Sequence, residues 1–135
     1  MDNVIFASWS VYRDLLYPII KRTQSRNDHK FAAQIDKALS EDRAFLFLGS
    51  DGFFVLQPLY SESAVLISFA WNQGGNAITR YQSTVEELAR FLAVDSLMLE
   101  TKVAQLAPAL LANGWNRTGV TGGIECWQKT ITEDA

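Results

Sequence analysis

The sequence predicts an α/β domain with a mixed sheet, on three observations. Apolar residues recur at helical spacing from Ile78 through Tyr81, Val85 and Leu88 to Leu92, the clearest helix of the chain. Residues 44–71 read instead as three short strands broken by turn residues, a three-stranded antiparallel meander. Beyond Leu92, short apolar runs alternate with one more helical pattern, which is the arrangement of helices laid on a sheet. The expected order is strand, two helices, three strands, helix, strand, helix, two strands. No repeat, low-complexity tract or linker interrupts it, so residues 1–135 are expected to form a single domain.

The elements follow in order. Val4 to Trp9 is apolar enough for a first strand. Ser10 is a candidate cap for a helix carrying Val11, Leu15, Leu16, Ile19 and Ile20, and Pro18 predicts a kink or an end near Tyr17. Lys21 to Lys30 reads as a polar joint, and Phe31, Ile35, Ala38 and Leu39 as the second helix. Ala44–Leu48 and Phe53–Gln57 are strands around an Asp51-Gly52 turn, with Pro58 ending the ladder or marking an edge. Ser61-Glu62-Ser63 is a second turn and Ala64–Trp71 the next strand. Ser83 and Thr84 offer two overlapping capping boxes, yet the regular face beginning at Ile78 predicts that the following helix starts near Ala77. Asp95–Thr101 suits a buried strand. Val103, Leu106, Leu110 and Leu111 make a helix that Pro108 either kinks or starts and that Asn113-Gly114 closes. Trp115–Thr118 and Ile124–Ile131 form a last hairpin around a Gly119–Gly123 turn, and Glu133–Ala135 are expected to fray.

Composition limits the function classes. Twelve basic against fifteen acidic residues give a net charge of −3, so no global field draws the chain to nucleic acid or an anionic membrane. Apolar runs fall far short of the ~20 residues a membrane helix needs. Without a basic start and apolar core at Met1-Asp2-Asn3, the expectation is a cytoplasmic protein. Cys126 is the only cysteine and His29 the only histidine, so no metal set is expected, and Cys126 reads as a small buried thiol. No nucleophile elbow, hydrolase arrangement or lysine-bearing nucleotide loop is present. Trp9, Trp71, Trp115 and Trp127 fall on predicted strands or at their ends, where large rings fill a sheet core; Trp71, directly before a glycine loop, is also a candidate to line a cleft.

That loop carries the chemistry. A strand, then Asn72-Gln73-Gly74-Gly75-Asn76-Ala77, then a helix presents unpaired amides and a helix dipole to an anion, and glycine allows close backbone approach. The order of elements, with this loop after the fourth strand, resembles the GNAT acyl-coenzyme A acyltransferases. Their phosphate loop reads Gln or Arg, two residues, Gly, one residue, Gly or Ala. Gly75 and Ala77 take the small positions here, and Asn72 departs from the Gln or Arg. The resemblance extends over essentially the whole chain, including Gly114-Trp115, where the family has Gly and an aromatic. The short chain and closing hairpin look most like the small GNAT-like proteins of tailed bacteriophages and prophages.

The resemblance implies acetyl-CoA, or a related acyl-CoA, as a substrate. It implies that the amides of Gln73, Gly74, Gly75, Asn76, Ala77 and Ile78 hold the pyrophosphate, that Phe69, Ala70 and Trp71 run beside pantetheine, and that the fourth and fifth strands splay apart there. The family's acid, a tyrosine four residues before the Gly, is replaced by Leu110; Tyr81 and Tyr60 are possible substitutes, each otherwise a packed aromatic. Glu62 and Glu100 are candidate bases by position, otherwise plain strand-end carboxylates. Lys21, Arg22, Arg26, His29 and Lys30 cluster where the family builds part of its acceptor site, or simply keep a connector wet. Transfer of an acyl group to an unidentified amine is the leading expectation. The alternative is a non-catalytic GNAT-like phage or prophage assembly protein, in host cytoplasm or virion, acting through a phage-protein partner; a homo-oligomer is left open. A nucleic-acid accessory role through the basic cluster is the weakest.

Overall fold

A computed structural model describes residues 4–27 and 30–131. In chain order they form β1 (Ile5–Ala7), α1 (Trp9–Asn27), α2 (Ala32–Ser40), β2 (Phe45–Leu48), β3 (Gly52–Leu59), β4 (Ala64–Asn72), α3 (Ala77–Phe91), β5 (Ser96–Thr101), α4 (Ala107–Ala112), β6 (Asn116–Thr121) and β7 (Ile124–Thr130). The order is the one the sequence predicts. The strands make one seven-stranded sheet, β1-β2-β3-β4-β5-β7-β6, in which only β4 and β5 run parallel.

The sheet divides two cores, and β3 feeds both. Phe53 and Val55 join Leu16, Ile20, Ile35 and Leu39 of α1 and α2 on one face. Phe54 and Leu56 join Tyr81, Val85 and Ala89 of α3 and Leu110 of α4 on the other. Alternation along a central strand therefore explains why Phe53-Phe54-Val55-Leu56 is apolar at every position. Each such side chain contributes about 1.5–3 kcal/mol by leaving water.

Several boundaries differ from expectation. β1 ends at Ala7, and Trp9 opens α1, where its Nε1–H donates to Asp36 Oδ1 at 2.8 Å; it is not a strand residue. Ser10 lies inside the helix, and the amides of Val11 and Tyr12 donate to the Ser8 carbonyl. α1 continues through Pro18 to Asn27. Pro18 and Asp14, whose carbonyl its ring deprives of a partner, both lie on the exposed side of α1, where that carbonyl is open to solvent. Most of the expected polar joint is thus the last turns of α1, with Lys21, Arg22 and Arg26 on them. His29 and Glu133–Ala135 lie outside the described residues.

α2 lacks a cap from its own Phe31. Instead Gln24 Oε1 of α1 accepts the amides of Phe31 at 2.8 Å and Ala32 at 2.7 Å, satisfying two of the unpaired donors of a helix start. Pro58 lies beyond Leu56, the last residue of β3 paired to β2, so it removes no ladder bond there. α4 starts at Ala107 with Pro108 in its first turn, the second of the two alternatives to within one residue. The last hairpin turns only at Gly122-Gly123, with φ of 59° and 82°, values that suit a two-residue turn whose central residues both need φ above zero. Trp115 and Trp127 are buried as expected, whereas Cys126 is only half-buried.

Candidate functional site

The site begins where sheet pairing stops. β4 and β5 pair from Ala64↔Ser96 to Ile67↔Leu99 and no further, although β4 runs on to Asn72. At the same point the register of β4 against β3 slips, from Leu56↔Ile67 to Val55↔Phe69, leaving Ser68 as an extra residue. The bulge re-aims the strand: Val65 and Ile67 face the α3 core, but after Ser68 it is Ala70 that faces α3, while Phe69 and Trp71 face α1 and α2. The parting of the strands opens a cleft of about 1060 Å³ that reaches from the end of α1 and the start of α2, through the sheet, to the start of α3. Its size is that of a ligand site.

On the α3 side the loop is held by a polar clamp. Asn72, only 4% exposed, accepts the Asn76 amide on Oδ1 at 2.9 Å and donates from Nδ2 to Asn76 Oδ1 at 2.6 Å. A short amide at this position closes the loop on itself. Asp51, from the β2–β3 turn, joins the loop to the helix. Its backbone carbonyl accepts the Gln73 amide at 2.9 Å. Its carboxylate accepts from Asn72 Nδ2 at 3.3 Å, Arg80 Nε at 3.1 Å and Tyr81 Oη at 3.1 Å. Burial pushes this carboxyl up, but hydrogen bonds from Asn72, Arg80 and Tyr81 and the Arg80 charge outweigh it and hold Asp51 below the usual carboxylate range. The turn approaches so closely that a Cβ on Gly52 would lie 2.0 Å from the Trp71 carbonyl oxygen.

This clamp also sorts the amides. Those of Gln73, Gly75 and Asn76 are already donated to Asp51, Asn72 and the Asn72 side chain. The expectation that every amide from Gln73 to Ile78 is available therefore narrows to Gly74, Ala77 and Ile78, which have no acceptor among the described residues. α3 begins at Ala77, as the apolar face predicts, so its positive end points into the loop. Gly75 has φ +72° and nothing within 4 Å of where a Cβ would stand, which leaves open space above the amides.

The candidate acid–base residues do not come together. Glu100 lines the cleft, exposed, on the stretch of β5 that has lost β4 and keeps only β7. Glu62 is exposed in the turn before β4 begins, with about 13 Å of strand between the start of β4 and Ser68, and does not line the cleft; its nearness to β4 in sequence is nearness to the wrong end. Tyr81 is 2% exposed, packs on Phe54 with ring centroids 4.9 Å apart, and gives its hydroxyl to Asp51 rather than to water. Tyr60 is 67% exposed and also outside the cleft. Leu110 is fully buried under α3, and the α4 side of the cleft is apolar, with Val103 and Leu106. Trp71 lines the cleft while leaning on Phe53 at 6.1 Å, so both of its expected roles coexist. Of the basic cluster, Arg26 and Lys30 line the cleft, and Lys21 lies 5.1 Å from the centroid of the Tyr17 ring. Asp51 is the residue that sequence reasoning missed. Its Asp-Gly signature announces a turn, and nothing local tells that the turn docks on a loop 21 residues away.

A mixed sheet with one parallel pair that parts beside a glycine loop and a helix start defines the acyl-CoA N-acyltransferase (GNAT) fold, and the chain has that fold. It is similar over 98% of its length to a GNAT-family acetyltransferase from Staphylococcus aureus Mu50, at 12% identity and a TM-score of 0.72, covering 100% of that chain. It is similar to the same extent to the aminoglycoside 6'-N-acetyltransferase of Enterococcus faecium, at 12% identity and a TM-score of 0.71, covering 99% of it. A third likeness is to N-acetylglutamate synthase of Neisseria gonorrhoeae, complexed with coenzyme A and N-acetyl-glutamate, at 10% identity and a TM-score of 0.70, where the chain matches 36% of that protein. At these identities the likeness is one of fold. No family model and no curated protein matches the sequence.

Proposed function

We propose that the chain is an acyl-CoA-dependent N-acyltransferase, moving an acyl group, acetyl in the simplest case, from a coenzyme A thioester to an amine. The observation that carries this reading is the coincidence, within eleven residues of chain, of the β4 bulge at Ser68 and the unpaired amides of Gly74, Ala77 and Ile78. The amides and the α3 dipole suit the pyrophosphate, and the edge of β4 that β5 has left suits the amide groups of pantetheine.

In the proposed reaction the amine nitrogen attacks the thioester carbonyl, the carbon–nitrogen bond forms, and the carbon–sulfur bond breaks to release the thiol. Glu100, directly or through a water, takes the amine proton, and an unpaired β4 amide stabilises the oxyanion. Orientation in the cleft supplies much of the acceleration. The leaving thiolate is protonated from solvent, since Leu110 stands where a tyrosine acid would.

That buried Leu110 also favours a second reading: a GNAT-fold protein without chemistry, acting by protein interaction, in keeping with the phage-type resemblance and with a place in a host cytoplasm or virion. Calorimetric titration with acetyl-CoA separates the two. Heat and thermal stabilisation are expected, and both should vanish in Gly75→Trp, whose ring would fill the space over the amides. Absence of either signal at millimolar ligand would overturn the enzyme reading. Binding without acyl transfer to any of a broad amine panel would favour the second.

A further inference from the structure

The charged residues lining the cleft form a pattern of their own. Arg26 from the last turn of α1, Lys30 from the connector and Lys102 beyond β5 all line it, and Glu100 is the lone carboxylate among the described lining residues. Arg26 and Lys30 are exposed and make no ion pair among the described residues. This cationic group sits on a chain whose net charge is −3, so it is a local concentration and not a sample of the surface. Gln24 anchors the Lys30 end of it, because its carboxamide ties Phe31 and the start of α2 back to α1.

We infer that the acceptor is a primary amine bearing an acidic group, carboxylate or phosphate, with its ammonium toward Glu100 and its anion toward Arg26 and Lys30. The inference rests on the acyltransferase reading and names the substrate class for that same cleft. The physical reason is a division of labour across one opening. A reactive amine arrives protonated and is drawn to Glu100, the one carboxylate among the described lining residues, which is also placed to take its proton; a second group of opposite sign then finds the guanidinium of Arg26 and the ammonium of Lys30 on the α1 side. An aminoglycoside, with several ammonium groups and no anion, would meet like charge on that wall, so the pattern opposes the acceptor that the Enterococcus faecium neighbour is named for.

The test follows thiol release from acetyl-CoA at fixed ionic strength with acceptors matched in pairs: phenylalanine against phenethylamine, phosphoethanolamine against ethanolamine, and peptides opening on aspartate against the same peptides opening on asparagine. Kanamycin serves as the polycation. The acid-bearing member of a pair is expected to have kcat/KM roughly tenfold or more above its partner, a difference of about 1.4 kcal/mol. The double variant Arg26→Gln/Lys30→Gln should erase that preference through KM while leaving acetyl-CoA affinity unchanged. Turnover of the free acids or of the aspartate peptides alone would support the class and assign its source, small molecule or polypeptide. Equal or better turnover of phenethylamine, ethanolamine or kanamycin overturns the inference and leaves acyl transfer standing. So does a double variant that weakens acetyl-CoA and keeps the preference, since the cations would then serve the thioester. Failure to bind acetyl-CoA at all would overturn the acyltransferase reading itself, and this inference with it.

Discussion

The two halves of β4 lie under different regimes. From Ala64 to Ile67 the strand is paired on both sides, and it starts in the core: Ala64 is fully buried, and Val65 is fully buried against Leu97 of β5, while Leu66 and Ile67 already reach the edge of the cleft. From Ser68 to Asn72 it keeps β3 and has lost β5, and its outer edge faces a cleft. One inserted residue separates the halves. The lesson is that this fold obtains an opening in its sheet without breaking a strand, by letting a bulge turn one edge away while the other edge holds.

The comparison can be broken at several points. On the paired half, Leu97→Ala leaves a cavity in the α3 core and is expected to lower stability by about 3 kcal/mol in denaturant unfolding. The folded fraction should retain its affinity for acetyl-CoA. On the parted half, Glu100→Gln is expected to leave the unfolding curve in place and to reduce kcat by about 100-fold in thiol-release kinetics, as loss of a general base does. An unchanged kcat would move the base elsewhere in the cleft.

The clamp at the far end of the parted half should give a smaller and mixed effect. Asp51→Asn keeps the shape but removes the ion pair with Arg80, and acetyl-CoA affinity is expected to fall by roughly tenfold as the loop loosens, with a modest drop in melting temperature. Acid sharpens the point. Asp51, like Asp36 beside Arg13 and Glu86 beside Gln82 and Lys129, has its ionised form favoured in the fold. A carboxyl whose folded pKa is depressed contributes its full stability above its unfolded pKa and loses it as pH falls through the folded value. Melting temperature should therefore be flat above about pH 5 and decline below about pH 4, with a shallower decline in Asp51→Asn. The smallest effect belongs to Glu62→Gln, at the far end of β4, where kcat and KM are expected to stay within about twofold of the parent.

Legibility followed the range of the interactions. Element order and the start of α3 at Ala77 could be read because periodicity and turn chemistry are local. Trp9 reads as strand because an apolar run does not tell which residue turns from strand to helix; its indole reaches Asp36, 27 residues on, and that bond is invisible along the chain. Pro18 does not end α1, because its exposed position leaves the orphaned carbonyl open to solvent. In the site, the glycine loop was legible and its free amides were not. Which amides remain unpaired is decided by Asn72 and by Asp51 from a distant turn. Glu62 and Glu100 looked equivalent as strand-end carboxylates until strand direction separated them.

Gln24 has a consequence beyond the helix start that it caps. A single side chain fastens the residues next to Lys30 to α1, and Lys30 and Phe31 lie in no strand of the sheet. Phe31 is held in place by the core as well, its ring packing on Phe69 with centroids 6.0 Å apart. If the proposed function holds, Gln24→Ala is therefore expected to change which amines are accepted more than it changes affinity for acetyl-CoA.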